Sequence, residues 1–172
     1  MKRCCVLIAG MAMAVILAHK SSGETAKLEI TSTAFKAGAT IPEQFSCKGA
    51  NYHPPLAFEG VPAKAVSLAL IVDDPDAPGG TFTHWLVWNI DAKTKQIAQS
   101  SVPSGAMQGK NDFGKAGYGG PCPPSGVHRY CFRLFALDRK LDLRSGAKRA
   151  AVDRALAGHI LANGTLMGRF GR

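Results

Sequence analysis

The segment HRYCFRLFALD, from His128 to Asp138, decides the fold class of this chain. One side of its alternating pattern is apolar, and it consists of Tyr130, Phe132, Leu134 and Ala136. Apolar residues at every second position are typical of a strand that buries one face. We therefore predict a long strand here and a mainly β domain around it.

Further strands are predicted on both sides of this segment. Leu28-Glu29-Ile30 begins a strand pattern, the seven residues from Val66 to Val72 form an apolar run, and His84 to Ile90 is rich in bulky and aromatic residues. Two loops crowded with glycine and proline, 35–62 and 91–127, separate them. A loop as long as the second one is usually functional.

One helix is predicted near the C-terminus. Ser145-Gly146 offers a start, and Asn163-Gly164 offers a stop. The predicted buried face has helical spacing and comprises Val152, Leu156, His159 and Ile160. Thr165 to Phe170 can return as a short strand. The fold prediction is thus two packed sheets, a β-sandwich, with one late helix.

The N-terminus has the layout of a secretory signal. Met1-Lys2-Arg3 is positively charged, and the following run from Cys4 to Ala18 is apolar but too short for a comfortable membrane span. Cleavage after Gly23 is expected, with Ala18 as the alternative, so we predict a signal at 1–23 and one domain at 24–172. The expected location is periplasmic or secreted, and a retained membrane anchor is the competing interpretation.

The chain carries a formal net charge of +9, and its basic residues are scattered. The densest group is Lys140, Arg144, Lys148 and Arg149, without interleaved aromatic residues that would stack on bases. We therefore expect no nucleic-acid partner. The positive charge favours acidic partners and peripheral contact with an anionic membrane surface.

Three cysteines follow the predicted signal. Cys47 and Cys122 both lie in loops, and we predict that they form a disulfide in an oxidising compartment. Cys131 lies within the apolar strand pattern and is expected to be a buried thiol.

Two histidines are candidates for a binding site. His84 and His128 each open a strand directly after a loop rich in glycine and proline, where a sheet positions side chains and loops shape a cavity. Asp74 and Asp76 flank the rigid Pro75. A plain turn, with both carboxylates bonded to local backbone, explains the aspartates equally well.

Several motifs, in this order and spacing, resemble the phosphatidylethanolamine-binding protein family, and its bacterial Raf-kinase-inhibitor-like branch most closely. They are Cys47-Lys-Gly, Asn51 to Pro55, Asp74-Pro-Asp-Ala-Pro, His84-Trp, Asn111-Asp-Phe-Gly, Gly117-Tyr-Gly-Gly-Pro-Cys-Pro-Pro, His128-Arg-Tyr and Gly158-His-Ile-Leu-Ala. The similarity covers about Ile30 to Arg172.

This resemblance implies a two-sheet fold with a small pocket at its rim. The implied ligand is a small anion such as phosphate or a phospholipid headgroup, bound without catalysis and without a cofactor. The implied ligand-binding residues are Asp74, Asp76, Pro78, His84, Gly120, Pro121, His128 and Tyr130. Some family members inhibit kinases or proteases, so a protein partner is also implied. The chain lacks the longer C-terminal segment of the animal members.

Physical chemistry limits how such a pocket can work. Two carboxylates repel phosphate unless the anion keeps a proton or the carboxylates hold a histidine in its charged form. Gly119 and Gly120 suggest backbone N–H groups that cradle an anion, and Tyr130 offers a hydroxyl. Phosphate binding should therefore weaken as pH rises through the histidine range, near 6.5 for an unperturbed side chain.

Three alternatives remain at this stage. A metal site could use His84 and His128 with the aspartates, although no helical His-x-x-x-His spacing is present. A hydrolase could use Asp74, His128 and Ser125, although Gly-x-Ser-x-Gly is absent. The third is a protein-interaction module that inhibits a protease or kinase-like enzyme. The sequence is compatible with a monomer or a homodimer.

Overall fold

The structure is a computed structural model, and it describes residues 27–172. The predicted signal at 1–23 lies outside these residues. Eight strands and one α-helix follow in chain order: β1 (Glu29–Thr31), β2 (Leu56–Glu59), β3 (Ser67–Asp74), β4 (Phe82–Asp91), β5 (Gln96–Ile97), β6 (Met107–Gln108), β7 (Val127–Leu137), α1 (Arg149–Leu156) and β8 (Ile160–Gly171). A single 3-10 turn, Glu43–Phe45, precedes β2.

The strands form two antiparallel sheets. The small sheet has the order β1-β2-β5, and the large sheet has the order β6-β4-β3-β7-β8. The main core lies between them, where Ile30 and Phe58 of the small sheet meet Leu70 and Phe132 of the large one. The prediction of a mainly β fold with two packed sheets and one helix is confirmed.

A second, smaller core covers the other face of the large sheet. Val152 and Leu156 of α1 pack there against Ile71, Leu86 and Trp88. Strand β3 is consequently buried along its whole length, since one of its faces meets the small sheet and the other meets the helix layer. Its two last residues, Asp73 and Asp74, therefore bring carboxylates to opposite faces of a covered sheet.

The predicted helix boundaries are wrong at both ends. The helix begins at Arg149 rather than near Ser145-Gly146, and it ends at Leu156. Gly158, at φ +80°, turns the chain out of the helix, so His159 and Ile160 do not lie on it. The predicted short strand is instead the 12-residue β8, paired with β7 along its length.

Close packing explains the glycine that was interpreted as a helix stop. Gly164 lies inside β8, where a Cβ would collide with the backbone carbonyl of Leu28. Both predicted loops contain short strands: β2 lies within 35–62, and β5 and β6 lie within 91–127. Within residues 27–172, no helix has the length and apolar character needed to cross a bilayer.

The cysteine predictions are confirmed. Cys47 and Cys122 form a disulfide that joins loops 75 positions apart in the sequence. Cys131 is a buried free thiol, and burial raises its pKa. A disulfide exposed at the surface indicates a non-reducing environment.

Candidate ligand-binding site

The site is built around a bulge in β4. Val72 pairs with Trp85 and Asp73 pairs with Thr83, so β4 contains one residue more than β3 at this point, and that residue is His84. A bulge bends its strand and redirects the side chain of the inserted residue. This irregularity places the His84 ring at the end of the sheet, beside the loops.

Backbone contacts fix the orientation of the His84 ring. Nδ1 lies 2.6 Å from the carbonyl oxygen of Gly119, so it carries a proton and donates it there. The amide of Gly119 in turn donates to the carbonyl of His84 at 2.9 Å. Nε2 makes no hydrogen bond within residues 27–172 and is not among the enclosed unpartnered atoms, so it is open to the cavity described below.

Aromatic side chains surround this ring. Phe82, Phe113 and Tyr130 have ring centroids between 5.1 and 5.3 Å from that of His84. Burial among them lowers the pKa of His84, and the hydrogen bond to Gly119 opposes the effect only in part. His84 is therefore neutral at neutral pH, with its lone pair on Nε2.

Asp74 and His128 form the second element of the site. Oδ2 of Asp74 lies 2.7 Å from Nδ1 of His128, and both side chains are buried. Oδ1 of Asp74 accepts the backbone N–H of Asp76 at 2.8 Å. Both carboxylate oxygens thus have protein donors, which stabilises the negative charge at the end of β3.

Asp76 points to a different partner. Its carboxylate accepts three hydrogen bonds from the Arg129 side chain and one from the Arg129 backbone, and these hold the pKa of Asp76 at about 2. Asp76 is therefore a permanently charged clamp between the β3–β4 turn and β7. The two aspartates that the sequence groups together have separate tasks in the structure.

A cavity of about 360 Å³ opens over these residues. Of the predicted ligand-binding residues, Asp74, Pro78 and His84 line it. Its remaining walls come from the β3–β4 turn and the two neighbouring loops, and the residues are Ala77, Gly79, Gly80, Thr81, Phe82, Asp112, Phe113, Cys122 and Pro124. The other predicted residues, Asp76, Gly120, Pro121, His128 and Tyr130, do not line this cavity.

The predicted anion cradle at Gly119 and Gly120 is wrong. The amide of Gly119 donates to His84, and the amide of Gly120 donates to Oδ1 of Asn51 at 2.7 Å. Both N–H groups are therefore engaged within the protein. A Cβ on Gly120 would strike the backbone carbonyl of Phe45, so this glycine serves the close packing of two loops.

Tyr130 also differs from the sequence-based expectation. Its hydroxyl is enclosed and has no hydrogen-bond partner within residues 27–172. Burial and the negative charge of Asp74 raise its pKa. The Tyr130 ring packs edge-on against the His84 ring, and the residue does not line the cavity.

Nine of the twelve residues that line the cavity were not predicted to do so, and three of them, Asp112, Phe113 and Cys122, give it distinctive chemistry. Phe113 and Asp112 belong to the Asn-Asp-Phe-Gly run, and Oδ2 of Asp112 fixes the start of β4 by accepting the N–H of Thr83 at 2.6 Å. Cys122 was expected only as a disulfide partner, yet it forms part of the wall. The sequence signal that could have identified Phe113 is an aromatic residue within a glycine-rich loop.

The structure also bears on the alternative sites. Among residues 27–172, no three His, Cys, Asp or Glu side chains are grouped so as to hold a metal ion. Ser125 is exposed, and within the same range His128 bonds through Nδ1 to Asp74 rather than to this serine. A larger cavity of about 450 Å³ opens beside β1, but no histidine lines it.

Comparisons with known proteins agree with the fold. A family model described as phosphatidylethanolamine-binding protein matches residues 31–171. A "UPF0098 protein" of Methanothermobacter thermautotrophicus is 46% identical over 150 residues, which cover 84% of this chain and 99% of the relative. A protein of the same description from Aquifex aeolicus is 46% identical over 152 residues, covering 84% of this chain and 89% of the relative.

Two crystal structures are similar over nearly the whole fold. A phosphatidylethanolamine-binding protein homolog from Chlamydia trachomatis has a TM-score of 0.82 at 39% identity, covering 86% of this chain and 99% of its own. YbcL of E. coli, described as a new member of the mammalian PEBP family, has a TM-score of 0.81 at 34% identity with the same coverage. The chain belongs to the phosphatidylethanolamine-binding protein family.

Proposed function

We propose that this protein binds a small phosphate-like anion in the 360 Å³ cavity and does so without catalysis. One observation carries the proposal. His84 lines the cavity with Nδ1 committed to a backbone carbonyl, which leaves Nε2 as its polar contact for a ligand. A phosphate, a phosphate monoester or a phospholipid headgroup presents the complementary oxygen atoms.

The protonation state of His84 determines how the anion is held. A neutral ring accepts a hydrogen bond from a P–OH group, whereas a protonated ring donates to a P–O⁻ oxygen. Burial lowers the pKa of His84, and an entering anion opposes that effect by favouring the charged form. Binding is therefore coupled to proton uptake, and affinity should increase as pH falls.

Asp74 has a compatible role. It lines the cavity together with His84, and its negative charge would repel a fully ionised phosphate bound there. The hydrogen bonds from His128 and from the Asp76 amide reduce that repulsion. The remaining negative charge of Asp74 favours anions that carry one proton over dianions, which gives a second reason for tighter binding at lower pH.

The experiment is titration calorimetry of the purified chain with inorganic phosphate at about pH 5.5 and at about pH 8. In two buffers of different ionisation enthalpy, the observed heat should reveal proton uptake. His84→Gln should weaken binding about tenfold or more at the lower pH, by loss of one charge-assisted hydrogen bond. Equal or tighter binding at the higher pH would contradict the proposal.

His159 supplies the matched control. It is a histidine near an aspartate, with Nδ1 3.0 Å from Oδ1 of Asp138, but it lies at the surface away from the cavity. His159→Gln should leave phosphate affinity and its pH dependence unchanged. A similar loss in both variants would mean that overall charge, not the cavity, governs binding.

We also propose that the mature chain is exported. The support is the exposed Cys47–Cys122 disulfide, since disulfides persist in oxidising compartments and are rare in the cytosol. Intact-mass measurement of the extracytoplasmic fraction should give a chain that begins at Glu24 or His19. Recovery of the full-length chain from the cytosol alone would contradict export.

Kinase or protease inhibition is not part of the proposal, because no contact among residues 27–172 identifies an inhibitory surface. A pull-down with and without excess phosphate tests it directly. Loss of a bound protein on adding phosphate would extend the proposed function to a partner that uses the cavity.

A further inference from the structure

A second polar cluster lies on the opposite face of the large sheet, below α1. Asp73 precedes Asp74 on β3 and presents its carboxylate to that face, where the side chain is only 2% exposed. A carboxylate buried to this extent requires charged or hydrogen-bonding partners. Two arginines supply them.

The two arginines come from different elements. Nε of Arg133, on β7, lies 3.1 and 3.3 Å from the two carboxylate oxygens of Asp73. Nη1 of Arg149, the first residue of α1, lies 3.4 Å from Oδ2 of Asp73. Arg149 also donates from Nε to Asp153 at 2.8 Å. Asp73 thereby holds two guanidinium groups side by side.

Both guanidinium groups keep unused donors. Arg133 bonds only through Nε, so both of its terminal nitrogens lack a partner within residues 27–172. Nη2 of Arg149 is likewise without one in that range. The side chains of Arg133 and Arg149 are 40% and 30% exposed, so these donors reach the solvent although the anchoring carboxylate does not.

The unused donors face a depression of about 420 Å³. Thr81 and Thr83 line it beside the arginines, Phe135 forms an apolar part of the wall, and the carboxylate residues Asp73 and Asp153 line it as well. Thr81 is shared with the wall of the His84 cavity. Asp73 and Asp153 balance the two arginine charges formally. Attraction of a ligand must therefore come from directed hydrogen bonds at short range, not from a large net charge.

We propose that this depression is a second oxoanion site, separate from the His84 cavity and suited to the phosphate or carboxylate group of a small ligand. The two terminal nitrogens of Arg133 form a planar fork that matches two oxygens of either group, and Nη2 of Arg149 adds one more donor. Because Asp73 already holds both side chains, they lose little conformational freedom on binding. The threonine hydroxyls add donors for further oxygens. Asp73 lines the depression, but both of its carboxylate oxygens accept hydrogen bonds from the arginines, so it acts as a positioning residue through them.

The test uses NMR detection of the arginine Nε–Hε signals of the full domain, titrated separately with inorganic phosphate and with acetate at constant ionic strength. Arg133 and Arg149 signals should shift saturably with one shared dissociation constant for each anion. The anion with the lower dissociation constant shows whether the site prefers a phosphate or a carboxylate group. Absence of a saturable shift at either arginine with both anions overturns the proposal.

Variants separate this site from the His84 cavity. Arg133→Gln combined with Arg149→Gln should weaken the second site at least tenfold, read from the amide signal of Phe135, which lines the depression and not the His84 cavity, while His84→Gln leaves that signal's response intact. Arg139→Gln is the matched control, because Arg139 is an exposed arginine 3.7 Å from Asp138 and outside the depression. If Arg139→Gln weakens binding equally, the effect is general charge screening and the proposal fails.

Discussion

The Cys47–Cys122 disulfide offers the strongest quantitative prediction, because it joins two loops and also forms part of the cavity wall. Replacing both cysteines with serine removes the link without burying new polar groups, since both positions are exposed. With a separation of 75 residues, the chain-entropy relation gives about 15 cal/mol/K, or about 4.5 kcal/mol at about 25 °C. For a domain of this size we expect the Tm to fall by roughly 10–15 °C.

The hydrogen bonds between the two loops should survive the substitution, so the loss of stability should arise mainly from a less constrained unfolded state. The amide of Cys47 donates to the carbonyl of Pro121 at 3.0 Å, and the amide of Gly120 donates to Asn51 at 2.7 Å. Both hydrogen bonds join the same two loops without the sulfur atoms. The unfolded variant, however, is less constrained and exposes more surface, so the dependence of the free energy of unfolding on urea should steepen.

Urea unfolding of the oxidised wild type and of Cys47→Ser combined with Cys122→Ser measures both quantities. Adding a dithiol reductant should lower wild-type stability toward that of the double variant and leave the variant unchanged, which makes Cys131 an internal control. A stability difference below about 1 kcal/mol would refute the entropy argument. It would show that the two loops stay together in the unfolded ensemble.

Three further predictions concern single side chains around the cavity. Gly120→Ala should cost about 1–3 kcal/mol because its Cβ has no room, whereas Gly79→Ala, with no atom within 4 Å of the new Cβ, should be neutral in the same unfolding assay. Tyr130→Phe removes an enclosed hydroxyl that has no partner, so stability should be unchanged or higher by up to about 1 kcal/mol. Tyr118→Phe removes the hydroxyl that donates to the carbonyl of Phe45, so it should lose about 1 kcal/mol. The reverse order of stabilities would be inconsistent with this hydrogen bonding. Because the pKa of His84 is lowered in the folded state, the unfolded chain takes up a proton at this residue first as pH falls. The stability that neutral His84 contributes is present above about pH 6.5 and is lost as pH falls, by at most about 1.4 kcal/mol per pH unit. Urea unfolding measured from neutral to mildly acidic pH should show that the free energy of unfolding depends less on pH in His84→Gln than in the wild type.

The long strands β3 and β7 were predictable because each repeats a buried pattern over many residues, whereas the short strands β2, β5 and β6 lie in segments predicted as loops. The alternation in β7 and the apolar run of β3 each identify a strand from the order of residues alone. The helix boundaries failed where local spacing and long-range pairing disagree. His159 and Ile160 continue the helical spacing of Val152 and Leu156, yet β7 offers hydrogen-bond partners along its whole length, and this pairing extends β8 back to Ile160.

Three of the predicted residues, Asp74, Pro78 and His84, line the cavity, but the sequence did not show how neighbouring side chains divide their tasks. The position of His84 after a loop indicated a binding residue, but the bulge that redirects it depends on the register between β3 and β4. Likewise, Asp74 and Asp76 look equivalent in the sequence. Only the position of Arg129 on β7 shows that one serves the cavity and the other clamps the turn.

The polar groups around His84 explain why the cavity should respond to protons more than to the identity of the anion. The Gly119 and Gly120 amides and both oxygens of Asp74 are already satisfied within the protein. The proposed ligand would gain few fixed donors from these neighbours, whereas Nε2 of His84 changes from acceptor to donor when the ring takes up a proton. Selectivity in such a site comes from the protonation state that His84 and the anion share, and an anion that cannot carry a proton near neutral pH should bind only where His84 itself is charged.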